Sequence, residues 1–380
     1  MSADVEVKIF YGPPSWFKEQ LGQDKGESLL DLVDELDEAK RRHTLAVEGQ
    51  DSPPPDESDP QPELVVAESG DYATLNEHAI TNFVSLIRKI SPECLYLHNP
   101  PARVHSQLER VFATEVQRFV YPVVTKDVLV AFRDGFADHL VGQGAVRESL
   151  LAALYPLTTI RRSTPVVLMF YGPSGVGKTE TAHFINGLLG GALLRKQFSM
   201  FHSEKFASYV FGGAHSEVSF AHDLLDRESG VILVDEFDKA NPIFHSAFYQ
   251  LFDDGVFEDK NYRVELGASL VICTSNYRTE DDIRAALGDA LYSRFDALVE
   301  FASLDAEGVK RVIDRIVDGR FSTLTAVEQE WLDLPKIKTM LQARLQNLGN
   351  VRKLGKLIDE VISLMLVRAM LEEEGKALPS

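Results

Sequence analysis

Residues 171–181 read YGPSGVGKTET, directly after the apolar run PVVLMF and running on into the helix-length segment TETAHFINGLL. Gly172, Gly177, Lys178 and Thr179 fill every fixed position of the G-x-x-x-x-G-K-[ST] pattern. A strand, a glycine loop and a helix in that order constrain the chain more than any other stretch. Glycines let backbone N–H groups turn inward around a phosphate, and the helix N-terminus adds its positive dipole. Gly172, Pro173, Ser174, Gly175, Val176 and Gly177 would form the cradle, with Lys178 against the β- and γ-phosphates. Thr179 would give its hydroxyl to Mg²⁺, so ATP and Mg²⁺ are the expected cofactors.

The surroundings suit such a loop. PVVLMF, LLRKQF, VILVD and SLVICTSN are short apolar runs separated by helix-length segments. Near-continuous apolar strands of this kind belong to a parallel sheet covered on both faces. VILVD ends in Asp235 and Glu236. A carboxylate at that strand end can hold Mg²⁺ through water, which suits Asp235. Glu236 would then polarise the water that attacks the γ-phosphate. Asn276 ends SLVICTSN and could orient the same water. The alternative for Asn276 is a residue that merely starts a turn.

In this order these elements resemble an AAA+ ATPase. The stretch 231–276 is similar to the second ATPase module of the Clp unfoldases and disaggregases, with its D-E-x-x-K-A run (Asp235 to Ala240), D-D-G (Asp253 to Gly255) and T-S-N (Thr274 to Asn276). The resemblance covers roughly residues 138–376. It implies that Leu140-Val141-Gly142-Gln143 wraps the adenine, with Val141 as the binding position. It also implies that Arg294, in LYSRFDALVEF, is an arginine finger reaching the neighbouring subunit's γ-phosphate. The alternative for Arg294 is a salt bridge to Asp296. Arg352, in GNVRKL, would sense the γ-phosphate from the lid, with Lys353 beside it as the alternative. A finger acting in trans implies a ring, with six subunits as the expected number.

The pattern departs from the family at SYVFGGAHSEVSF, residues 208–220, which is several residues shorter than the family's pore-loop segment, as in the torsins. Tyr209 and Phe211 are the candidates for gripping a threaded polypeptide. The expected fold class is therefore α/β: an AAA+ parallel sheet flanked by helices, followed by a small helical lid and preceded by a small α/β region. By sequence the chain divides into an N-terminal segment with a helix (1–47), an acidic Pro-rich linker (48–63), a small α/β region (64–125), the large ATPase subdomain (126–303) and the lid (304–380).

The 48–63 stretch, EGQDSPPPDESDPQPE, has five prolines, six acids and no large apolar residue, so it cannot repay its ordering entropy. Before it, Leu29, Leu32, Val33 and Leu36 form one helical stripe with Ser28 as a plausible N-cap. After it, LVVA (64–67) and CLYL (94–97) read as strands. Ile80, Phe83, Val84 and Ile87 mark one helix, and Val104, Leu108, Val111 and Phe112 another. Cys94 and His98 are four apart without a second ligand pair, which reads as a buried thiol before it reads as a metal site.

A net charge of −19 argues against nucleic acid, whose phosphates demand a basic footprint. Two cysteines cannot build a disulfide framework. No secretory signal or membrane-length apolar run is present, so a cytoplasmic location is expected. The function that follows is an ATP-hydrolysing ring protein, chaperone-like, that remodels or unfolds a protein substrate recruited through residues 1–125. Alternatives are a nucleotide-gated assembly scaffold in signalling or defence, and a nucleic-acid-directed AAA+ motor.

Overall fold

The computed structural model describes residues 5–23, 25–44, 61–159, 162–200, 204–345 and 350–377. Two five-stranded parallel sheets and a helical bundle carry the architecture. The first sheet contains β1 (Glu6–Tyr11), β2 (Glu27–Ser28), β3 (Leu64–Ala67), β4 (Cys94–His98) and β5 (Thr114–Arg118), in the order β2-β3-β4-β1-β5. The second contains β6 (Val166–Tyr171), β7 (Leu194–Gln197), β8 (Val231–Asp235), β11 (Leu270–Thr274) and β12 (Ala297–Glu300), in the order β12-β6-β11-β8-β7. A hairpin of β9 (Val256–Glu258) and β10 (Arg263–Glu265) lies between β8 and β11 in sequence.

β6, β8 and β11 are buried along their whole length, which is why they read as unbroken apolar runs. Alternate side chains serve opposite cores. Val166, Leu168 and Phe170 pack with the helices Lys126–His139, Gly144–Leu154 and Lys178–Leu189. Val167, Met169 and Tyr171 join Phe198, Phe206, Phe220, Phe237 and Phe248 on the other face. The C-terminal helices Ala306–Ser322, Leu334–Leu345 and Val351–Ala377 close around a separate core that includes Val309, Ile313, Ile337 and Leu354. Among the described residues, no helix is long and apolar enough to cross a membrane.

Two expectations change. Strands from both sides of the acidic stretch pair with each other: Glu27 lies opposite Val65 and Glu6 opposite Cys94. Residues 1–47 and 64–125 therefore contribute to one sheet, and the 48–63 stretch joins its two halves instead of tethering a separate unit. Residues 48–60 of that stretch lie outside the described residues. The helix expected from Val104 to Phe112 ends at Glu109, and the polar strand TEVQR follows as the sheet edge. The fifth strand of the second sheet, ALVE, is also an edge strand, too short and mixed to stand out in sequence. The helix Leu29–Thr44 forms as its stripe suggests, and the Ser28 hydroxyl accepts the Asp31 N–H at 3.4 Å.

The N-terminal sheet is seated on the second one. At the C-terminal ends of β1 and β4, Asn99 is fully buried in a left-handed conformation (φ 45°). Its side chain accepts the Gly12 N–H at 3.0 Å and donates to the Gly12 carbonyl at 2.9 Å and to Asp226 Oδ1 at 2.7 Å. Ser69 donates to Asp226 Oδ2 at 3.2 Å. His98, stacked on Phe17, bonds the same Gly12 carbonyl through Nε2. The edge where an open parallel sheet usually takes a ligand is thus filled by Asp226, from just beyond the helix Phe220–Leu225 of the second sheet's layer.

Asn99→Ala is expected to cost about 1–3 kcal/mol through the orphaned Gly12 N–H, with up to about 1 kcal/mol more because alanine lacks the local hydrogen bonding that lets asparagine occupy the left-handed region. Asn99→Gly should spare the second part. Urea denaturation of both variants checks this, and equal midpoints would remove the backbone contribution.

Candidate active site

Parallel pairing of β6, β8 and β11 delivers three loops to one sheet edge. β11 lies between the other two, with Cys273 opposite both Met169 and Val234. The cleft at this edge has a volume of about 650 Å³ and reaches from the glycine loop to the lid. Ser174 to Thr179, Asp235, Glu236, Asn276, Val141 and Arg352 all line it.

The loop's glycines take backbone conformations that other residues rarely adopt. Gly172, Gly175 and Gly177 have φ of 124°, 75° and 107°. A Cβ on Gly172 would meet the Phe301 carbonyl oxygen at 2.2 Å, and one on Gly175 would meet the Asn350 side-chain oxygen at 2.3 Å. Pro173 contributes its carbonyl, which accepts from Lys178 Nζ at 2.7 Å. Lys178 also donates to the Gly172 carbonyl at 2.7 Å and to Asn276 Oδ1 at 3.3 Å. These three acceptors are neutral, while the ammonium itself is buried. A buried cation held only by neutral oxygens fits a phosphate.

Beyond it, Asp235 Oδ1 accepts from Thr274 Oγ1 and, at 3.4 Å, from Thr179 Oγ1. A hydroxyl and a carboxylate in contact beside the phosphate loop form a donor set that suits Mg²⁺. Glu236 follows with φ 57°, a left-handed backbone rare outside glycine. The Thr274 hydroxyl holds its N–H at 3.0 Å, and Gln197 Nε2 donates to its carboxylate at 3.0 Å. Strain of this kind, of order 1–3 kcal/mol, persists where the surroundings over-determine a functional side chain.

Gln143 is buried and donates to the Ala302 carbonyl at 2.9 Å, fixing the Leu140–Gln143 turn against the sheet. The lid reaches the loop directly: Val351 N–H donates to the Gly175 carbonyl at 2.9 Å and Asn350 Nδ2 to the Ser174 carbonyl at 3.0 Å. Arg352 follows on the exposed side of that contact.

Two expectations are corrected. The salt bridge to Asp296, the alternative for Arg294, does not form; as expected of an arginine acting in trans, Arg294 does not line the cleft of its own chain. Its Nε donates to Asp253 Oδ2 at 2.8 Å and its guanidinium lies 4.7 Å from the Tyr249 ring centre, while Asp296 is taken by Arg162 and the Val167 N–H. Tyr209 is buried, with its hydroxyl on Asp223 at 2.6 Å and Lys196 over its ring, so it is not available to grip anything. Phe211, two residues further along and on the other side of the helix, is exposed and rests against Phe244. Sequence reasoning missed Arg195, Gln197 and Thr274, which hold Asp235 and Glu236 from neighbouring strands. Only the strand register reveals them.

This strand order, with a phosphate loop after the interior strand β6 and an acidic pair at the end of β8, defines a P-loop nucleotide-binding ATPase fold. Residues 164–321 match the profile of the AAA domain (Cdc48 subfamily). The chain is 30% identical over 175 residues to the "ClpA homolog protein" of Fuscovulum blasticum, covering 39% of this chain and 22% of that one. It is 28% identical to the "ATP-dependent Clp protease ATP-binding subunit ClpE" of Lactococcus lactis, over 50% of this chain and 30% of that one. It is 26% identical to "Chaperone protein ClpB" of Chlamydia caviae, over 66% of this chain and 33% of that one. The "S. cerevisiae Hsp104-ADP complex" shares the fold at a TM-score of 0.51 and 22% identity, over 65% of this chain and 49% of that one. The chain carries one AAA+ ATPase module of the Clp type. It spans about a fifth to a third of the length of these curated relatives.

Burial lowers the Lys178 ammonium to about 8, the nearby Asp238 and Asp235 charges opposing the drop. Below that pH the lysine meets a phosphate already charged; above it, binding must first take up a proton. Nucleotide affinity is therefore expected to fall as pH rises above about 8, approaching about tenfold per unit. Titration with fluorescent ADP across that range reads the slope, and Lys178→Arg should flatten it.

Proposed function

We propose that the protein is a cytoplasmic AAA+ ring, with six subunits expected, that spends ATP hydrolysis on remodelling a protein substrate. The observation that carries this reading is the convergence of Lys178, Thr179, Asp235, Glu236 and Asn276 on one cleft, while Arg294 stays outside the cleft of its own chain. In this reading Lys178 and the loop N–H groups bind the phosphates. Thr179 and Asp235 hold Mg²⁺, the latter through water, and Mg²⁺ when bound neutralises charge on the phosphates. Glu236 orients and polarises the attacking water, and Asn276 fixes its position. Arg294 would serve the next subunit's site, and Arg352 would report the γ-phosphate to the lid. The names of the relatives, chaperone proteins and Clp ATP-binding subunits, support protein as the substrate class.

The N-terminal sheet would recruit substrate or adaptor. Its seat on the helix Phe220–Leu225 favours a fixed platform over a tethered one. Phe211 is then the remaining aromatic candidate for substrate contact. A second reading, a nucleotide-gated assembly scaffold, is favoured by one observation: Tyr209 is locked to Asp223, which leaves a sparse grip for threading.

Steady-state ATPase of the full chain separates the readings. Glu236→Gln is expected to lower turnover by about 10²–10⁴, and Arg294→Ala by about 10³ or more with nucleotide binding retained. Wild-type turnover in Arg294→Ala would remove the trans role. Stimulation by an unfolded protein, reduced in Phe211→Ala, supports the remodeller. No stimulation by it, with nucleotide-dependent assembly intact, supports the scaffold. Stimulation by DNA alone would overturn both.

A further inference from the structure

Strand β7 runs beside β8 in parallel, with Arg195 opposite Leu233 and Gln197 opposite Asp235. Residues two apart on a strand share a face. Arg195 Nε and Nη2 both donate to Asp235 Oδ2, at 3.1 Å and 2.5 Å. Asp235 is nearly buried, whereas the Arg195 side chain is 40% exposed and lines the nucleotide cleft. Lys196 points to the other face and pairs with Asp223 at 2.7 Å, which pins the strand. Any displacement of Arg195 is then a side-chain event that leaves β7 in place.

We propose that Arg195 is an internal counter-ion of Asp235 that competes with Mg²⁺ and so sets how strongly nucleotide binding depends on the metal. The inference rests on reading Asp235 as the metal carboxylate. A buried carboxylate needs a cation, and the guanidinium fork supplies one when no metal is bound. Two cations at one carboxylate repel each other, so metal binding works against the Arg195 pair. By linkage, whatever stabilises the metal-free site is subtracted from the metal's contribution to nucleotide affinity. Arg195 is thus a positioning residue with a second effect. It keeps Asp235 in place and disfavours a divalent cation that arrives without nucleotide. Its length and exposure let it swing away from Asp235 once the metal is held.

The test is the affinity of the full chain for fluorescent ADP, measured with Mg²⁺ and with EDTA. The quantity that matters is the ratio of the two dissociation constants, metal-free over metal-bound. Arg195→Gln is expected to raise that ratio by about tenfold, with the EDTA value nearly unchanged. Without ligand its melting temperature should fall, and Mg²⁺ with ADP should restore it. Arg195→Lys keeps the charge without the fork, and should lie between wild type and Gln. It also keeps the question answerable if the Gln variant does not fold. An unchanged or lower ratio in both variants would overturn the proposal, since it would make Arg195 indifferent to the metal or a support for it. Asp235→Asn separates the underlying reading: if wild type binds ADP but the Asn variant keeps the wild-type ratio, Asp235 is not the metal carboxylate. Absence of ADP binding by wild type in both buffers would remove the nucleotide site, and the proposal with it.

Discussion

Parallel pairing of β6, β8 and β11 is the constraint on which the rest depends. Parallel strands end at the same edge, so three loops distant in sequence open side by side. Each strand is buried on both faces, which leaves its end as the first place where a polar side chain can stand. Asp235 and Asn276 stand at or just beyond such ends, and the glycine loop after β6 brings Lys178 to them. Residues chosen for the core thus fix the spacing of groups suited to handling a phosphate.

The second sheet does not stand alone. Asn99 reaches from the N-terminal layer to Asp226, which follows the helix Phe220–Leu225; Asp223 of that helix holds Lys196 and Tyr209. Lys196 sits between Arg195 and Gln197, the two side chains that clasp the acidic pair. Polar contacts linked by one turn of helix and by strand β7 therefore lead from the N-terminal layer to the cleft. The same contacts that bury Tyr209 are part of this run, so the residue lost to substrate gripping is one that braces the site.

Local signals were legible in the sequence. The phosphate loop, the acidic pair and the apolar strands are contiguous, and their chemistry depends on neighbours in the chain. The stripe from Leu29 could be read from periodicity alone. What escaped depends on register or on distant partners. β5 and β12 are edge strands, half exposed, and carry no unbroken apolar run. Arg195 looks like a surface charge until β7 is set against β8. Arg294 lies close to Asp296 in sequence, yet the fold gives it Asp253. Tyr209 reads as a loop aromatic, but the helix Glu204–Phe211 turns it inward while leaving Phe211 outside.

The pairing of β2 with β3 and of β1 with β4 has a consequence for the continuity of the polypeptide. The strands on either side of residues 45–60 are held to one another by backbone hydrogen bonds and a shared core, without reliance on the peptide bonds between them. The register of the two halves is set by that pairing, not by the link between them. A break in that interval would leave two pieces that behave as one body, and a foreign domain spliced into it would ride on the protein without parting its layers.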